Sequence, residues 1–267
     1  MGRVIFIGAG PGAADLVTVR GAQRLAGADV VLFDALTDPA LRVYAPRARW
    51  IDVGKRGFSG VQHPPRHPPY ESTGQDTINA LLVHHASASN LVVRLKGGDP
   101  SVFGRLEEEL DALAAAGIDC EVVPGVTAAI AAAADTRRPL TRRGSGRSVS
   151  LTTAMTREGV VSASRSADTE VFYMAGKQVG ALARRLVAAG WAADTPVSVV
   201  SRAGWPDRLH SDHSVQTLAR ATVIHAGRPT VVTIGAGAAP LAPRRGDAGE
   251  ARGAVESRYG RALPVKP

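Results

Sequence analysis

A single cysteine, Cys120, stands in 267 residues, so the chain has neither a disulfide framework nor a cysteine-built zinc site. Its place in the apolar run 118–123 makes it a buried strand residue rather than a nucleophile. Aromatic residues are only 4% of the sequence, which leaves no stacking platform for RNA bases. No uninterrupted apolar run approaches the roughly 18 residues that a membrane span needs. The N-terminus goes straight into the strand-like run Arg3-Val4-Ile5-Phe6-Ile7 without a leader pattern, so a soluble, reducing, cytoplasmic setting is expected. Three motifs are missing as well. There is no Gly-Lys-Ser/Thr after a glycine loop, no H-E-x-x-H and no G-x-S-x-G, which removes P-loop, metalloprotease and esterase chemistry.

What is present is an α/β pattern. An apolar fraction of 45% supports a real core, and 29 glycines with 17 prolines suit many short βα connections. The net charge of +8 fits a nucleic acid, a membrane surface or a polyanionic small molecule. Residues 241–267 carry six Lys/Arg against three acids, and this weakly patterned tail is expected to hang free, leaving +5 on the folded body. Strands are predicted at 4–7, 28–34, 49–53, 90–95 and 119–123, alternating with helices at 16–26, 73–86, 105–116 and 128–134. Five strands so arranged make a doubly wound parallel sheet. After an arginine-rich connector, strands at 148–153, 170–174, 196–200 and 230–235 and helices at 177–189 and about 214–221 form a second α/β unit. The expected domains are 1–136 and 137–240, with 241–267 as a basic tail.

Glycine-bearing turns recur at the strand ends. Gly8-Ala9-Gly10-Pro11-Gly12, Gly54-Lys55-Arg56, Gly97-Gly98-Asp99 and Pro124-Gly125-Val126-Thr127 line one rim and imply a cleft, because ligands of open α/β sheets sit at the carboxyl ends of strands. Each is also ordinary turn chemistry. Gly8, Gly10 and Ala13 nominally match the dinucleotide fingerprint, with Asp34 about 20 residues on, so an NAD-binding oxidoreductase stays open. Asp34 and Lys55 are the groups placed for proton work, against plain readings as a turn residue and a surface cation. His63 and His67 have a metal-like spacing, but the prolines between them prevent a shared helix face, and no metal is expected. The acids Glu107, Glu108, Glu109 and Asp111 open a helix as its dipole prefers and read as a solvated face.

Taken together, Val4-Ile5-Phe6-Ile7-Gly8-Ala9-Gly10-Pro11-Gly12, Gly54-Lys55-Arg56, Arg94-Leu95-Lys96-Gly97-Gly98-Asp99-Pro100, Val123-Pro124-Gly125-Val126-Thr127, Pro139-Leu140-Thr141 and Phe172-Tyr173-Met174 keep one order along residues 4–236. In this the sequence resembles the uroporphyrinogen-III C-methyltransferases of the tetrapyrrole-methyltransferase superfamily. The resemblance implies two α/β domains of the tetrapyrrole methylase fold. It implies S-adenosylmethionine in the cleft between them (S-adenosylhomocysteine after transfer), and a homodimer without metal, membrane or nucleic-acid partner. The implied reaction is methylation of uroporphyrinogen III at C2 and C7 to precorrin-2, on the way to sirohaem or cobalamin. It carries cofactor contacts onto Pro11, Gly97, Gly98, Asp99, Val102, Thr127, Ala128, Met174 and Ala203. Asp34 becomes the proton acceptor, across the cleft from the glycine turn, and Lys55 the proton donor. The substrate has about eight carboxylates, and guanidinium forks are their natural partners, so Arg137, Arg138, Arg142, Arg143 and Arg147 are expected to form part of an acid-binding wall. A later corrinoid methyltransferase of the same fold is the alternative. The loop between Lys55 and Gln75 is about ten residues longer than the family pattern, and Leu106-Glu107 stand where members carry Gly-Gly.

Overall fold

A computed structural model describes residues 2–54, 74–154 and 161–241. The expected features at Lys55, Arg56, His63, His67 and the tail from 242 lie outside those residues. The first sheet contains β1 (Arg3–Gly8), β2 (Val30–Phe33), β3 (Arg49–Asp52), β4 (Leu91–Lys96) and β5 (Cys120–Val123). All pair in parallel, in the order β3-β2-β4-β1-β5. β1 and β4 are central and covered on both faces, which is why they read as mainly apolar runs, broken in β4 by Arg94 and Lys96, rather than alternating ones. Val4, Phe6 and Val92 meet Ile78 and Leu82 of α2 (Gln75–Ala88) and Leu113 of α3 (Leu106–Ala115). Ile5, Ile7, Val93 and Leu95 point the other way, onto Leu25 of α1 (Val19–Leu25) and Leu41 of a short 3-10 turn.

α1 starts three residues later than its apolar spacing predicts. Thr18 caps it, accepting a hydrogen bond from the Gly21 amide at 3.0 Å, and residues 14–16 form a separate 3-10 turn before that cap.

The second sheet contains β6 (Val149–Thr153), β7 (Thr169–Tyr173), β8 (Pro196–Ser201), β9 (Leu209–Ser214) and β10 (Thr230–Gly235), in the order β6-β7-β10-β8-β9. Only β6 and β7 run parallel. The helix expected at 214–221 is replaced by edge strand β9, a 3-10 turn and the four-residue α6 (Ala221–Ile224). β9 is Leu-His-Ser-Asp-His-Ser. A solvated edge strand needs no apolar face and so leaves no apolar period to read. α5 (Val179–Ala188) buries Val179, Leu182 and Leu186 against one face of this sheet. α4 (Ala128–Thr136) packs its Ala129, Ala131 and Ala132 on Val171, Val200 and Val231 of the other. The alanine-rich helix thus leaves the carboxyl end of β5 and joins the two sheets.

Candidate active site

Gly8, Gly98 and Gly125 meet where β1, β4 and β5 end. A Cβ built on Gly8 would lie 2.5 Å from the Gly125 Cα and 2.7 Å from the Gly98 carbonyl oxygen. Gly98 has φ +72° and exchanges backbone hydrogen bonds with Gly10, its amide donating at 2.7 Å and its carbonyl accepting at 3.3 Å. The Asp99 carboxylate staples the knot, accepting from the amides of Ser101 and Gly125, each at 2.8 Å. The outer side of this knot stays open. Among the described residues, a Cβ on Gly97 would meet only Leu36 Cβ, at 3.5 Å, and one on Gly98 only the Thr127 Cα, at 3.9 Å. The chain therefore presents a backbone ledge that a ligand can approach.

The second sheet supplies the facing wall. Tyr173 ends β7, and its hydroxyl pairs with Thr127 Oγ1 at 2.7 Å and accepts from the Ala129 amide at 3.2 Å. Burial pushes its phenol up, and those two hydrogen bonds partly offset that. Phe103 packs on its ring at 5.0 Å between centroids. Beyond β8, the Ala13 amide donates to the Gly204 carbonyl at 3.0 Å and Trp205 Nε1 donates to the Pro11 carbonyl at 3.1 Å. Pro11 follows Gly10, the Val102 amide donates to the Asp99 carbonyl at 3.2 Å, Ala128 follows Thr127 and Met174 follows Tyr173, whereas Ala203 is buried in the cluster beneath α4.

Asp34 stands beside the ledge, not across from it. It follows β2, the neighbour of β4, and its amide donates to the Leu95 carbonyl at 3.2 Å. Arg94 Nη2 donates to its Oδ1 at 2.6 Å. The Asp34 side chain is 15% exposed, whereas that of Arg94 is 0% exposed. Burial opposes the charge on Arg94, but Asp34 and Glu109 outweigh it and raise its pKa. The solvated acidic face expected at the start of α3 is broken here. Glu109 is fully buried and accepts from Lys96 Nζ at 2.7 Å and from Arg94 Nε at 3.3 Å. Two basic residues at positions i and i+2 of an otherwise apolar strand were the sign that a buried acid must face them.

The arginine connector is placed elsewhere. Arg138 is buried and forks onto Asp212, with Nη2 to Oδ2 at 2.8 Å, and donates to the Ala238 carbonyl at 2.9 Å. Arg142 donates to the carbonyls of Ala239 and Pro240. Arg137, Arg143 and Arg147 are exposed. The register sets Thr153 beside Tyr173 at the cleft and Val149 beside Thr169 at the other end, and Gly146 abuts Ala236 just past Gly235, the partner of Thr169. Residues 142–147 therefore lie a strand's length, roughly 15 Å, from Tyr173. Among the described residues, no cluster of three or more His, Cys, Asp or Glu could hold a metal, and no helix is long and apolar enough to cross a membrane.

A family model for tetrapyrrole (corrin/porphyrin) methylases matches residues 3–234. The chain belongs to that family. It is 41% identical over 206 residues to the uroporphyrinogen-III C-methyltransferase of Pseudomonas aeruginosa, covering 76% of this chain and 80% of that protein. It is 42% identical over 204 residues to the siroheme synthase of Edwardsiella ictaluri, covering 74% of this chain but only 42% of that longer protein. Among solved structures, uroporphyrin-III C-methyl transferase from Thermus thermophilus complexed with S-adenyl homocysteine aligns with a TM-score of 0.73 and 32% identity, over 88% of this chain and 97% of that one.

Proposed function

We propose that this chain methylates uroporphyrinogen III at C2 and then C7, using S-adenosylmethionine and giving precorrin-2. The observation that carries the reading is the juxtaposition of an open glycine ledge with a half-buried carboxylate held by arginine. The ledge fits the cofactor because the Cβ space over Gly97 and Gly98 is open and the part-buried apolar residues Pro11, Val102, Ala128 and Met174 adjoin Gly10, Asp99, Thr127 and Tyr173. When bound, the cofactor supplies an electrophilic methyl group on a sulfonium.

The chain's own residues do the rest. The backbone of Gly97, Gly98 and Asp99, with Thr127, holds and orients the cofactor. The methylated carbon already bears a side chain and becomes quaternary, so the proton leaves from the pyrrole nitrogen or the adjoining bridge carbon; Asp34 accepts it, and the Arg94 fork fixes the direction of that carboxylate. Lys55 is proposed as proton donor on its motif alone. Transfer needs alignment at about 3 Å rather than any further electrophile, so a rigid ledge and an oriented base suffice. The family resemblance also supports a homodimer, which sedimentation of the purified chain tests, and a cytoplasmic setting.

The test is anaerobic incubation of the purified chain with uroporphyrinogen III and S-adenosylmethionine. A doubly methylated product by mass spectrometry is expected. A folded protein that binds the cofactor and leaves uroporphyrinogen III unmethylated overturns the substrate assignment. Asp34→Asn is expected to lower turnover at least a hundredfold, the low end of what an acid or base contributes, with less than threefold change in cofactor affinity. Turnover close to that of the parent would remove Asp34 from the proton path.

A further inference from the structure

Methyl transfer uses Asp34 and the arginine that holds it, yet two more charges are buried behind them. Arg94 and Lys96, two apart on β4, project to one face of the sheet, 0% and 1% exposed. Glu109, also 0% exposed, reaches them from the first turn of α3. Its Oε2 accepts from Lys96 Nζ at 2.7 Å, and its Oε1 accepts at 3.3 Å from both Arg94 Nε and Gln75 Nε2. Arg94 Nη2 is shared: it donates to Asp34 at 2.6 Å and lies 3.3 Å from Glu109 Oε1. Lys96, Glu109, Arg94 and Asp34 thus alternate in sign and sum to zero, and only Asp34 touches solvent.

An apolar pair of the same volume would fill the space of Lys96 and Glu109 without desolvating two ions. What the apolar pair could not do is compete for Arg94. We infer that Glu109 and Lys96 are positioning residues for methyl transfer: Glu109, neutralised by Lys96, grips Arg94 from behind and so sets how firmly Arg94 holds the Asp34 carboxylate. This rests on Asp34 as the proton acceptor.

Lys96 is the labile member. Burial first and Arg94 next push its ammonium down to about 8, while Glu109 and Asp34 pull it up. Loss of its charge leaves Glu109 uncompensated and strengthens its claim on Arg94, which weakens the hold on Asp34. The charged groups that meet Lys96 across β2, β4 and α3 are Asp34, Arg94 and Glu109, and all three take part.

The test measures single-turnover methylation against pH for the parent, Lys96→Met, Lys96→Arg, Glu109→Gln and the double variant Lys96→Met/Glu109→Gln. Lys96→Met leaves one uncompensated negative charge beside Arg94, which disfavours the Asp34 carboxylate. The acid limb of the rate profile is expected to move up by about one pH unit, close to tenfold in rate on the limb. Lys96→Arg keeps the charge and leaves the limb in place. Glu109→Gln removes the competing carboxylate and does not raise the limb. The double variant restores neutrality and brings the limb back to the parental pH, but Arg94 has lost its rear anchor and the plateau rate falls about tenfold.

An unmoved limb in folded, cofactor-binding Lys96→Met overturns the inference, as does an equal upward shift in Glu109→Gln. Where neither single variant folds, a double variant with the full parental rate overturns it. Asp34→Asn separates the two levels. If it is inactive while the limb stays fixed in Lys96→Met, this inference alone fails. If it retains parental turnover, the assignment of Asp34 fails.

Discussion

Adding one methyl group at Gly125 probes the ledge directly. Gly125 is absent from the residues of positive φ, so alanine meets no backbone penalty there and would by itself restrict the unfolded chain favourably. The obstacle is contact. The new Cβ would press on the Gly98 carbonyl oxygen and lie 2.7 Å from the Gly8 Cα and 3.0 Å from the Gly8 carbonyl carbon, against 3.4 Å or more for ordinary contact. All three neighbours are backbone, so no rotamer relieves them, and the strand ends must part by about 1 Å. Overpacking of this kind costs about 1–3 kcal/mol. For a chain of this size that lowers Tm by about 2–4 °C per kcal/mol. Gly98 is the group pushed, and it carries the ledge, so the Kd for S-adenosylhomocysteine is expected to rise at least tenfold, about 1.4 kcal/mol. Gly117→Ala is the control. Its φ of +67° makes alanine strained by about 1 kcal/mol, but nothing lies within 4 Å of the new methyl. It should lose stability and keep its affinity. Titration calorimetry and thermal unfolding on both variants decide the matter. Parental affinity in a destabilised Gly125→Ala would refute the ledge as the cofactor site.

Two further predictions separate structural charge from functional charge. Arg138→Met should lower unfolding free energy by about 1–3 kcal/mol in urea, the half-exposed Asp212 screening part of the loss, and leave KM for the tetrapyrrole unchanged. A rise in KM would place Arg138 in a substrate wall instead. His225 is fully buried between Ser201 Oγ and Ser211 Oγ, each at 2.8 Å, and burial, then His213 and Arg228, push it down to about 4. Below about pH 6.5 the unfolded chain takes up a proton that the folded one refuses, so stability falls with falling pH until the folded value near 4 is reached, by about 3 kcal/mol at most. Urea unfolding from pH 7 down to 4 checks this, and an unchanged slope in His225→Gln would show that another group carries it.

The legible part of the molecule was the part with a strong local pattern. β1 and β4 are buried on both faces and announce themselves as apolar runs, and the glycines at their ends announce the cleft. Gly8, Gly98 and Gly125 were readable as turns, whereas their mutual contact depends on strand order, which no local pattern contains. β9 was unreadable because an edge strand with polar side chains has no buried face to leave an apolar period. Glu109 was misread for a different reason. Three glutamates in a first helical turn satisfy the macrodipole wherever they point, and only Arg94 and Lys96, a strand away, decide which one is buried. Arg138 followed the same logic, since its partner Asp212 lies 74 residues on.

The rim of the cleft is also held under strain. Phe103, Met174 and Arg202 are non-glycine residues with φ of +53°, +56° and +53°, a conformation that costs each of them about 1 kcal/mol or more. Each is overdetermined by neighbours. Phe103 lies on the Tyr173 ring. Met174 follows Tyr173, whose hydroxyl is tied to Thr127 and Ala129. Arg202 stacks its guanidinium 4.3 Å over Trp205 and donates to Asp207 at 2.8 Å. Trp205 in turn bonds the Pro11 carbonyl of the first sheet. The strained residues therefore sit where the chain turns back toward the cleft, and the contacts that hold them cross from one sheet to the other. A rim built this way is set before any ligand arrives, so binding need not order it, and the ordering entropy that a loose rim would consume stays available to orient the two reactants.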